Sequence, residues 1–274
     1  MFQDIPNKFN IDFDSRKIDE NDFILSYDKR TILCRFDENS HTVFPRPDDL
    51  DYNVNSVFAF SIDGQRYFLS LDEKINAKGF EYTNINLLKT AYSDINQFAG
   101  ITGFHYNAFH RENHFCGICG GKLEHNAEKR CMICTKCKNE IFPKISPAVI
   151  VGIIDDKTDS IVLTKYAEGD YKKYALVAGF AEMGESAEDA ARREVMEETG
   201  LEITDLKYYK SQPWGYAQNL LIGFFAKVKN SREIHMDETE LSEAVWVNRT
   251  DINAQPNSIS LTGEMMWTFK TGKT

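Results

Sequence analysis

The sequence predicts an α+β protein in which a small cysteine-rich ribbon joins two larger units. Three observations support this fold class. Runs of β-forming residues and one helical pattern fill residues 1–110, five of the six cysteines lie within residues 111–145, and a buried strand and a strong helix follow within residues 146–274. With about 150 residues per domain as a prior, 274 residues are enough for this arrangement.

The composition is that of an ordinary globular protein, with 42% hydrophobic and 27% charged residues. No apolar run approaches the ~18 residues that a membrane helix needs, and the N-terminus is too polar for a secretory signal. We therefore expect a cytoplasmic protein with no membrane contacts. The net charge of −10 argues against broad binding of duplex DNA through its phosphates.

The N-terminal unit contains a predicted β-hairpin. Two β-rich runs within Ser56–Asp72 flank Asp63-Gly64, a dipeptide that tolerates positive φ. Phe23–Ser26 and Thr31–Phe36 are predicted strands around a polar turn.

A helical pattern follows over residues 85–109, and we expect it to break near Gly100–Gly103. No residue of this unit suggests chemistry. We interpret residues 1–110 as a scaffold or dimerisation domain.

The ribbon carries a specific metal-binding pattern. Cys116 and Cys119 form one C-x-x-C pair, and Cys134 and Cys137 form another. Four thiolates at this spacing can surround a structural Zn²⁺ ion and leave no open position for catalysis. The alternative is a set of buried free thiols, which the doubled spacing makes the weaker interpretation.

Cys131 offers an alternative C-x-x-C pair with Cys134. We favour Cys137 as the ligand because Asn139 follows it closely and tolerates a left-handed turn, as the glycines after Cys119 do. The basic residues of the ribbon could contact nucleic acid, although a solvated face is the interpretation we favour. These residues are Lys122, Lys129, Arg130, Lys136, Lys138 and Lys144.

The C-terminal unit opens with the buried strand Ala148–Ile154, with Pro147 at its start, where a missing N–H does least harm. A helix is predicted over Ala187–Thr199, because Ser186 begins an S-x-x-D capping signal and Gly200 supplies a stop. Further strands are predicted at Ile161–Thr164, Tyr174–Val177, Leu220–Val228 and Ala244–Val247.

This helix gathers the carboxylates of Glu194, Glu197 and Glu198. Like charges at these spacings repel, and a divalent cation such as Mg²⁺ or Mn²⁺ would resolve the repulsion. Such a cluster also suits phosphoryl chemistry, since metal ions neutralise substrate charge and activate water. An acidic helix face by itself is usually only solvated.

The surrounding residues make the pattern far more specific. Gly179, Glu185 and the run Arg193–Leu201 match the Nudix box at every defined position. The segment therefore resembles the Nudix hydrolase family. The resemblance implies an α/β/α sandwich around a mixed sheet, and hydrolysis of nucleoside diphosphates linked to another moiety with Mg²⁺ or Mn²⁺.

The chain also resembles one branch of that family, the NADH pyrophosphatases. The branch places a zinc ribbon and an extra N-terminal domain before the Nudix domain, and Phe142–Pro147 and Ser211–Trp214 resemble its motifs. One departure concerns the loop after Trp214, because Gly215-Tyr216-Ala217 stands where the branch has Pro-Phe-Pro. The loss of both prolines bears on substrate preference more than on the chemistry.

The resemblance implies roles residue by residue. Glu194, Glu198 and Glu240 would bind the catalytic metals, with the carbonyl of Ala178 as a further ligand and Glu197 binding metal or polarising water. Arg193 and Glu185 would orient the carboxylates. The substrate-binding residues would be Phe142, Phe180, Gln212, Pro213, Trp214, Gly215, Tyr216, Ala217, Gln218, Asn219 and Ser260.

The expected activity is metal-dependent hydrolysis of NADH or NAD⁺ to nicotinamide mononucleotide and AMP, with removal of NAD caps from RNA as a related reaction. A homodimer is also implied by the resemblance. Two alternatives stay open. One is a Nudix hydrolase of ADP-ribose or dinucleoside polyphosphates, which the altered loop motivates. The other is an NAD- or RNA-binding regulator without turnover, which the intact carboxylates argue against.

Overall fold

The computed structural model describes residues 1–14, 16–89, 94–126, 128–168, 173–254 and 259–274. The chain separates into two compact units. The first unit contains residues 2–144 and 215–218, and the second contains Met1, residues 145–214 and residues 219–274. The division into three domains stays a prediction. None of the described helices combines the length and apolarity that a bilayer crossing requires.

The N-terminal part of the first unit is built from two small sheets. The strands are Phe9–Asn10 (β1), Phe23–Leu25 (β2), Tyr27–Asp28 (β3), Thr31–Phe36 (β4), Thr42–Val43 (β5), Ser56–Ile62 (β6), Gln65–Ser70 (β7) and Glu81–Asn84 (β8). One sheet has the order β1-β6-β7-β2, and in the other β4 pairs with β3, β5 and β8. The predicted hairpin is confirmed, with positive φ at Asp63 and Gly64.

The helical part of this unit differs from the prediction. A 3₁₀ helix spans Ile85–Lys89, and helix α1 runs from Asp94 to Glu112 without the break expected at Gly100–Gly103. Both glycines serve close packing. A Cβ on Gly100 would lie 2.6 Å from Leu88, and one on Gly103 would overlap Leu25. The missing side chains therefore let α1 approach its neighbours, which outweighs the low helix propensity of glycine.

The cysteine-rich segment forms a three-stranded antiparallel sheet. Its strands are Leu123–His125 (β9), Met132–Cys134 (β10) and Glu140–Ile141 (β11), in the order β11-β10-β9. Its small core consists of Phe109, Cys116, Leu123, Met132 and Cys134. So small a core stabilises little by itself.

The second unit is built on one mixed six-stranded sheet. Its elements are Ser146–Asp155 (β12), Ser160–Tyr166 (β13), Val177–Phe180 (β14), α2 at Ala187–Thr199, Ile203–Trp214 (β15), Asn219–Val228 (β16), Leu241–Asn248 (β17), a 3₁₀ helix at Arg249–Asp251 and α3 at Leu261–Lys270. The order is β15-β16-β12-β13-β17, with β14 also paired to β12. Only β12 and β16 are parallel within this sheet.

Alternate residues of β12 enter two separate cores, one on each face of this sheet. Val149 and Val151 pack in a cluster with Val195 of α2, whereas Ile150 packs in a cluster with Met265 of α3. A strand that is covered on both faces has apolar residues on both sides, which explains the continuous apolar run in β12. The two covered faces confirm the predicted α/β/α sandwich.

Two elements of this unit were not predicted, and one strand is displaced. Strand β14 lies at Val177–Phe180 instead of Tyr174–Val177. Strand β15 lies at the sheet edge, and its burial shows no regular alternation from which a strand could be predicted. Helix α3 begins at the capping residue Ser260.

Candidate active site

Helix α2 presents the carboxylates of the site, and local signals set its limits. The Oγ of Ser186 accepts a hydrogen bond from the N–H of Asp189 at 3.1 Å, which caps the first turn. Gly200 ends the helix with a left-handed φ of 69°. Because Ala190 and Val195 are fully buried in the core, the rotation of the helix is fixed and so are the positions of its glutamates.

Strand β14 faces this helix at Gly179 and Ala178. A Cβ on Gly179 would overlap the carboxylate of Glu194, so only glycine leaves room for that group. The N–H of Ala178 donates to Oε1 of Glu198 at 3.3 Å. The first glycine of the box is therefore required by the close approach of strand and glutamate.

Two of the glutamates are buried. Glu194 is 8% exposed and Glu198 is 2% exposed. Burial raises the pKa of Glu198 to about 8, and the negative charges of Glu194, Glu240 and Asp237 add to this shift. Burial likewise raises the pKa of Glu194. In the metal-free protein, Glu198 is therefore mostly protonated at neutral pH.

Arg193 forms hydrogen bonds with three carboxylates of the site. Its guanidinium donates to both oxygens of Glu185, at 2.7 and 2.9 Å. It also donates to Glu194 and Glu197, each at 2.8 Å, and to the carbonyl of Phe180 at 2.9 Å. The bond from Arg193 lowers the pKa of Glu185 to about 2. One cation thus holds three glutamates and the end of β14.

The buried carboxylate fits a divalent cation. Oε2 of Glu198 is buried and has no hydrogen-bond partner among the described residues. A buried oxygen without a partner is costly, and a hard cation with oxygen ligands would satisfy it. Glu240 is exposed, yet its negative charge contributes to the raised pKa of both Glu194 and Glu198. The ligand roles of Ala178, Glu194, Glu197, Glu198 and Glu240 stay predictions.

Asp237 is a neighbour of the site that sequence reasoning missed. Its N–H donates to the main-chain carbonyl of Glu198 at 3.2 Å, and its charge contributes to the raised pKa of that glutamate. The two residues lie far apart in sequence, so no local spacing could have indicated the contact.

Some predicted substrate-binding residues have structural contacts of their own in the second unit. Gln212 is fully buried, and its amide donates to the carbonyl of Ile259 at 2.8 Å and accepts from the N–H of Leu261 at 2.7 Å. Ser260 caps α3 by accepting from the N–H of Gly263. Phe180 remains 53% exposed, as a stacking ring would need to be. The others in this unit are Pro213, Trp214 and Asn219.

The remaining predicted substrate residues belong to the first unit, namely Phe142, Gly215, Tyr216, Ala217 and Gln218. Phe142 is 52% exposed, but Tyr216 is only 7% exposed. The ring of Tyr216 lies under the ammonium of Lys89, 4.7 Å from its centroid. A Cβ on Gly215 would overlap the carbonyl of Ile101, so glycine permits the close approach of this loop.

The four predicted cysteines come together in the ribbon. The Sγ atoms of Cys116, Cys119, Cys134 and Cys137 all lie within 4.8 Å of one another. The pairs Cys116–Cys137 and Cys119–Cys134 are separated by 3.7 and 3.5 Å. Tetrahedral coordination at ~2.3 Å per bond places sulfurs about 3.8 Å apart. These cysteines can therefore hold one metal ion, and Cys131 is outside the group.

The turns after the two C-x-x-C pairs correct the reason given for choosing Cys137. The left-handed residue is Lys138, with a φ of 62°, and not Asn139. Gly120 occupies the matching position after Cys119, with a φ of 68°. The N–H groups of these two residues donate to the carbonyls of Cys134 and Cys116. The turn after the second C-x-x-C pair thus imposes on Lys138 a conformation that its side chain disfavours.

Comparison with known proteins bears on both units. Residues 144–264 match the family described as NUDIX domain. The NAD-capped RNA hydrolase NudC of Photobacterium profundum is 32% identical over 210 residues, covering 75% of this chain and 76% of that protein. The protein of the same name from Salmonella paratyphi C is 38% identical over 160 residues, covering 58% and 61%. A NUDIX hydrolase structure from Nitrosomonas europaea aligns with a TM-score of 0.45 at 23% identity, over 57% of this chain and 90% of that one.

Proposed function

This chain belongs to the Nudix family, in its NADH pyrophosphatase branch, and from that membership we propose that it hydrolyses the pyrophosphate bond of NADH or NAD⁺. The products are nicotinamide mononucleotide, reduced when NADH is the substrate, and AMP. In NAD-capped RNA the same pyrophosphate bond joins nicotinamide mononucleotide to the adenosine 5′-phosphate that begins the RNA chain, so we extend the proposal to cap removal. The names of the relatives from Photobacterium and Salmonella support that extension.

One observation carries the proposal, namely the buried carboxylate of Glu198 with its unpartnered Oε2 beside Glu194. In this proposal Mg²⁺ or Mn²⁺ is held by Glu194, Glu197, Glu198 and Glu240 with the carbonyl of Ala178. When bound, the ion would supply neutralisation of the diphosphate charge and activation of water. Arg193 and Glu185 keep the carboxylates in position before the substrate arrives.

The chain's own residues account for the remaining steps. Glu198 gives up the proton that burial retains on it, because a carboxylate must be ionised to bind a cation. The exposed ring of Phe180 is proposed to stack on a base of the dinucleotide. Gln212, Pro213, Trp214, Asn219 and Ser260 complete the proposed substrate site in this unit, and the roles of Phe142 and residues 215–218 stay predictions.

The proposal includes structural zinc in the four-cysteine cluster, since sulfur ligands and tetrahedral spacing favour Zn²⁺ over Mg²⁺. It also includes a cytoplasmic location, where thiols stay reduced, and a homodimer. The second candidate substrate class is ADP-ribose or dinucleoside polyphosphates. The buried Tyr216 favours it, because a covered ring is not offered for stacking in this chain.

The test is product analysis with NADH, NAD-capped RNA and ADP-ribose in Mg²⁺ or Mn²⁺. Wild type should release reduced nicotinamide mononucleotide and AMP from NADH, and Glu198→Gln should lose at least about 10³-fold of that rate. Glu188→Gln is the matched control, because Glu188 is exposed in the first turn of the same helix. Equal rates for the two variants, or turnover of ADP-ribose alone, would contradict the proposal.

A further inference from the structure

The first unit contains a cavity of about 360 Å³ that none of the Nudix-box residues line. Its walls come from β6, β7, the end of α1, the ribbon and an N-terminal segment that supplies Phe13, Asp14, Arg16 and Lys17. The rings of Phe58, Phe68, Tyr106 and Phe109 form much of the apolar lining. Aromatic walls with a few polar groups are typical of sites for small organic ligands, and this volume lies within their usual range.

Two residues of the lining carry buried polar atoms that lack partners. Nδ1 of His110 and Nε of Arg130 have no hydrogen-bond partner within the part of the chain that the structure describes. The ring of His110 lies 4.6 Å from that of His125, centroid to centroid. Burial lowers the pKa of His110 to about 3 and also lowers that of His125. Both imidazoles are therefore neutral at pH 7 and suited to hydrogen bonding with a heteroaromatic base.

The charge of the lining is opposite to that of the whole protein. Four basic residues and one carboxylate, that of Asp14, line the cavity, whereas the chain carries −10. Asp14 already accepts from Arg16. Among the described residues, Arg130 donates to neutral oxygens, the carbonyls of Ile11 at 2.7 Å and Ala59 at 2.8 Å. The basic residues are Arg16, Lys17, Lys129 and Arg130.

The guanidinium of Arg130 also lies over the ring of Tyr106, 5.4 Å from its centroid. A cation next to an aromatic wall, with neutral imidazoles beside it, matches a planar ring that bears an anionic group. Two other cations of the lining are in ion pairs, Arg16 with Asp14 at 2.6 Å and Lys129 with Glu140 at 2.9 Å. The ion pairs found among the described residues include no carboxylate partner for Lys17 or Arg130.

We propose that this cavity binds a nucleotide, with its base against the aromatic walls and its phosphate near Lys17 and Arg130. The site is separate from the proposed hydrolytic centre, since no residue of α2 lines it. The shared chemistry is a base with a phosphate, and the source is a free mononucleotide or one nucleotide of an RNA chain.

The experiment measures binding to the zinc-loaded full chain without added Mg²⁺ or Mn²⁺. The probes are AMP, adenosine, inorganic phosphate and a five-nucleotide oligoadenylate. Calorimetry gives affinities, and the imidazole NMR signals of His110 and His125 report the location. The variant Arg16→Glu with Lys17→Glu reverses two charges at exposed lining residues, and Lys157→Glu with Lys207→Glu makes the same change at exposed residues of the second unit.

AMP should bind more tightly than adenosine or phosphate and should shift both imidazole signals. The Arg16/Lys17 variant should weaken AMP binding about tenfold, and the Lys157/Lys207 variant should leave it unchanged. Tighter binding of AMP than of the oligonucleotide assigns the site to free nucleotides, and the reverse assigns it to RNA. Unshifted imidazole signals at millimolar AMP, or equal losses in both double variants, would overturn the proposal. The imidazole shifts of His110 and His125 report this cavity alone, so their outcome is independent of whether the chain hydrolyses NADH.

Discussion

Gly179 and the carboxylate of Glu194 occupy neighbouring positions so close that a methyl group on the glycine would overlap the carboxylate. The contact joins strand β14 to helix α2, and Arg193 donates a hydrogen bond to the same carboxylate. The geometry of the site therefore depends on the lack of a side chain at Gly179 as well as on the charged groups.

Replacing Gly179 by alanine should displace the Glu194 carboxylate while leaving the fold intact. We expect kcat to fall about 10²-fold, because misplacement of a catalytic group by about 1 Å has this effect. Gly117→Ala is the control, since a Cβ there meets open space. Steady-state kinetics and circular dichroism of both variants test the prediction. Equal kcat values for Gly179→Ala and Gly117→Ala would contradict it.

Arg193→Lys should separate the charge of this residue from its forked geometry. Lysine keeps the charge but cannot bond Glu185, Glu194 and Glu197 together as the guanidinium does. We expect the apparent affinity for Mn²⁺ or the rate to fall about 10- to 100-fold. Arg192→Lys, at the adjacent exposed position, should behave as wild type. Metal titrations of activity distinguish the two variants, and a normal Mn²⁺ dependence in Arg193→Lys would exclude this role.

The buried carboxyl of Glu198 should make the stability of the Mg²⁺- and Mn²⁺-free protein depend on pH. Its pKa in the folded protein is about 8, above the ordinary value of 4.5. Between these two pH values the folded chain holds a proton that the unfolded chain releases, so the free energy of unfolding falls as pH rises. The slope is at most about 1.4 kcal/mol per pH unit.

Urea unfolding at several pH values tests this effect. Glu198→Gln should flatten the slope, whereas Glu188→Gln should keep it. Added Mn²⁺ should stabilise wild type increasingly toward pH 8, because ion binding then displaces less proton. An unchanged slope in Glu198→Gln would show that another group titrates.

The ribbon cysteines should differ sharply in their contribution to zinc content. Cys137→Ser removes one of the four clustered thiols, and we expect loss of zinc and a lower Tm. Cys131→Ser is the matched change in the same segment, and it should retain zinc, because Cys131 is outside the cluster. Metal analysis of the purified variants gives the zinc content of each. Zinc loss in the Cys131 variant would instead make that residue a ligand.

Local signals explain which parts of the fold could be predicted. The limits of α2 follow from Ser186 and Gly200, which act within one turn of the helix ends. The helix break predicted at Gly100 and Gly103 was wrong. The effect of these glycines depends on packing against Leu88 and Leu25, which come from other elements. A sequence pattern reports propensity, and close packing between distant residues overrides it.

The same distinction applies to the site. The spacing of Glu194, Glu197 and Glu198 indicated a shared acidic face, but not that Glu197 is exposed while the other two are buried. That difference arises from strand β14, whose position was not predicted correctly. The raised pKa of Glu198 is a property of the assembled sheet and helix, so it could not be derived from the helix sequence.

The loop Gly215–Gln218 also has a consequence for the order in which the chain is made. It belongs to the first unit, although residues 145–214 precede it in sequence. During synthesis, the main-chain carbonyls of Ile85 and Ile101 emerge on the order of ten seconds before Tyr216 and Gly215 exist to contact them. The N-terminal unit is therefore completed after translation of strand β15, and a nascent chain that stalls before that point carries an unfinished surface open to chaperones and proteases.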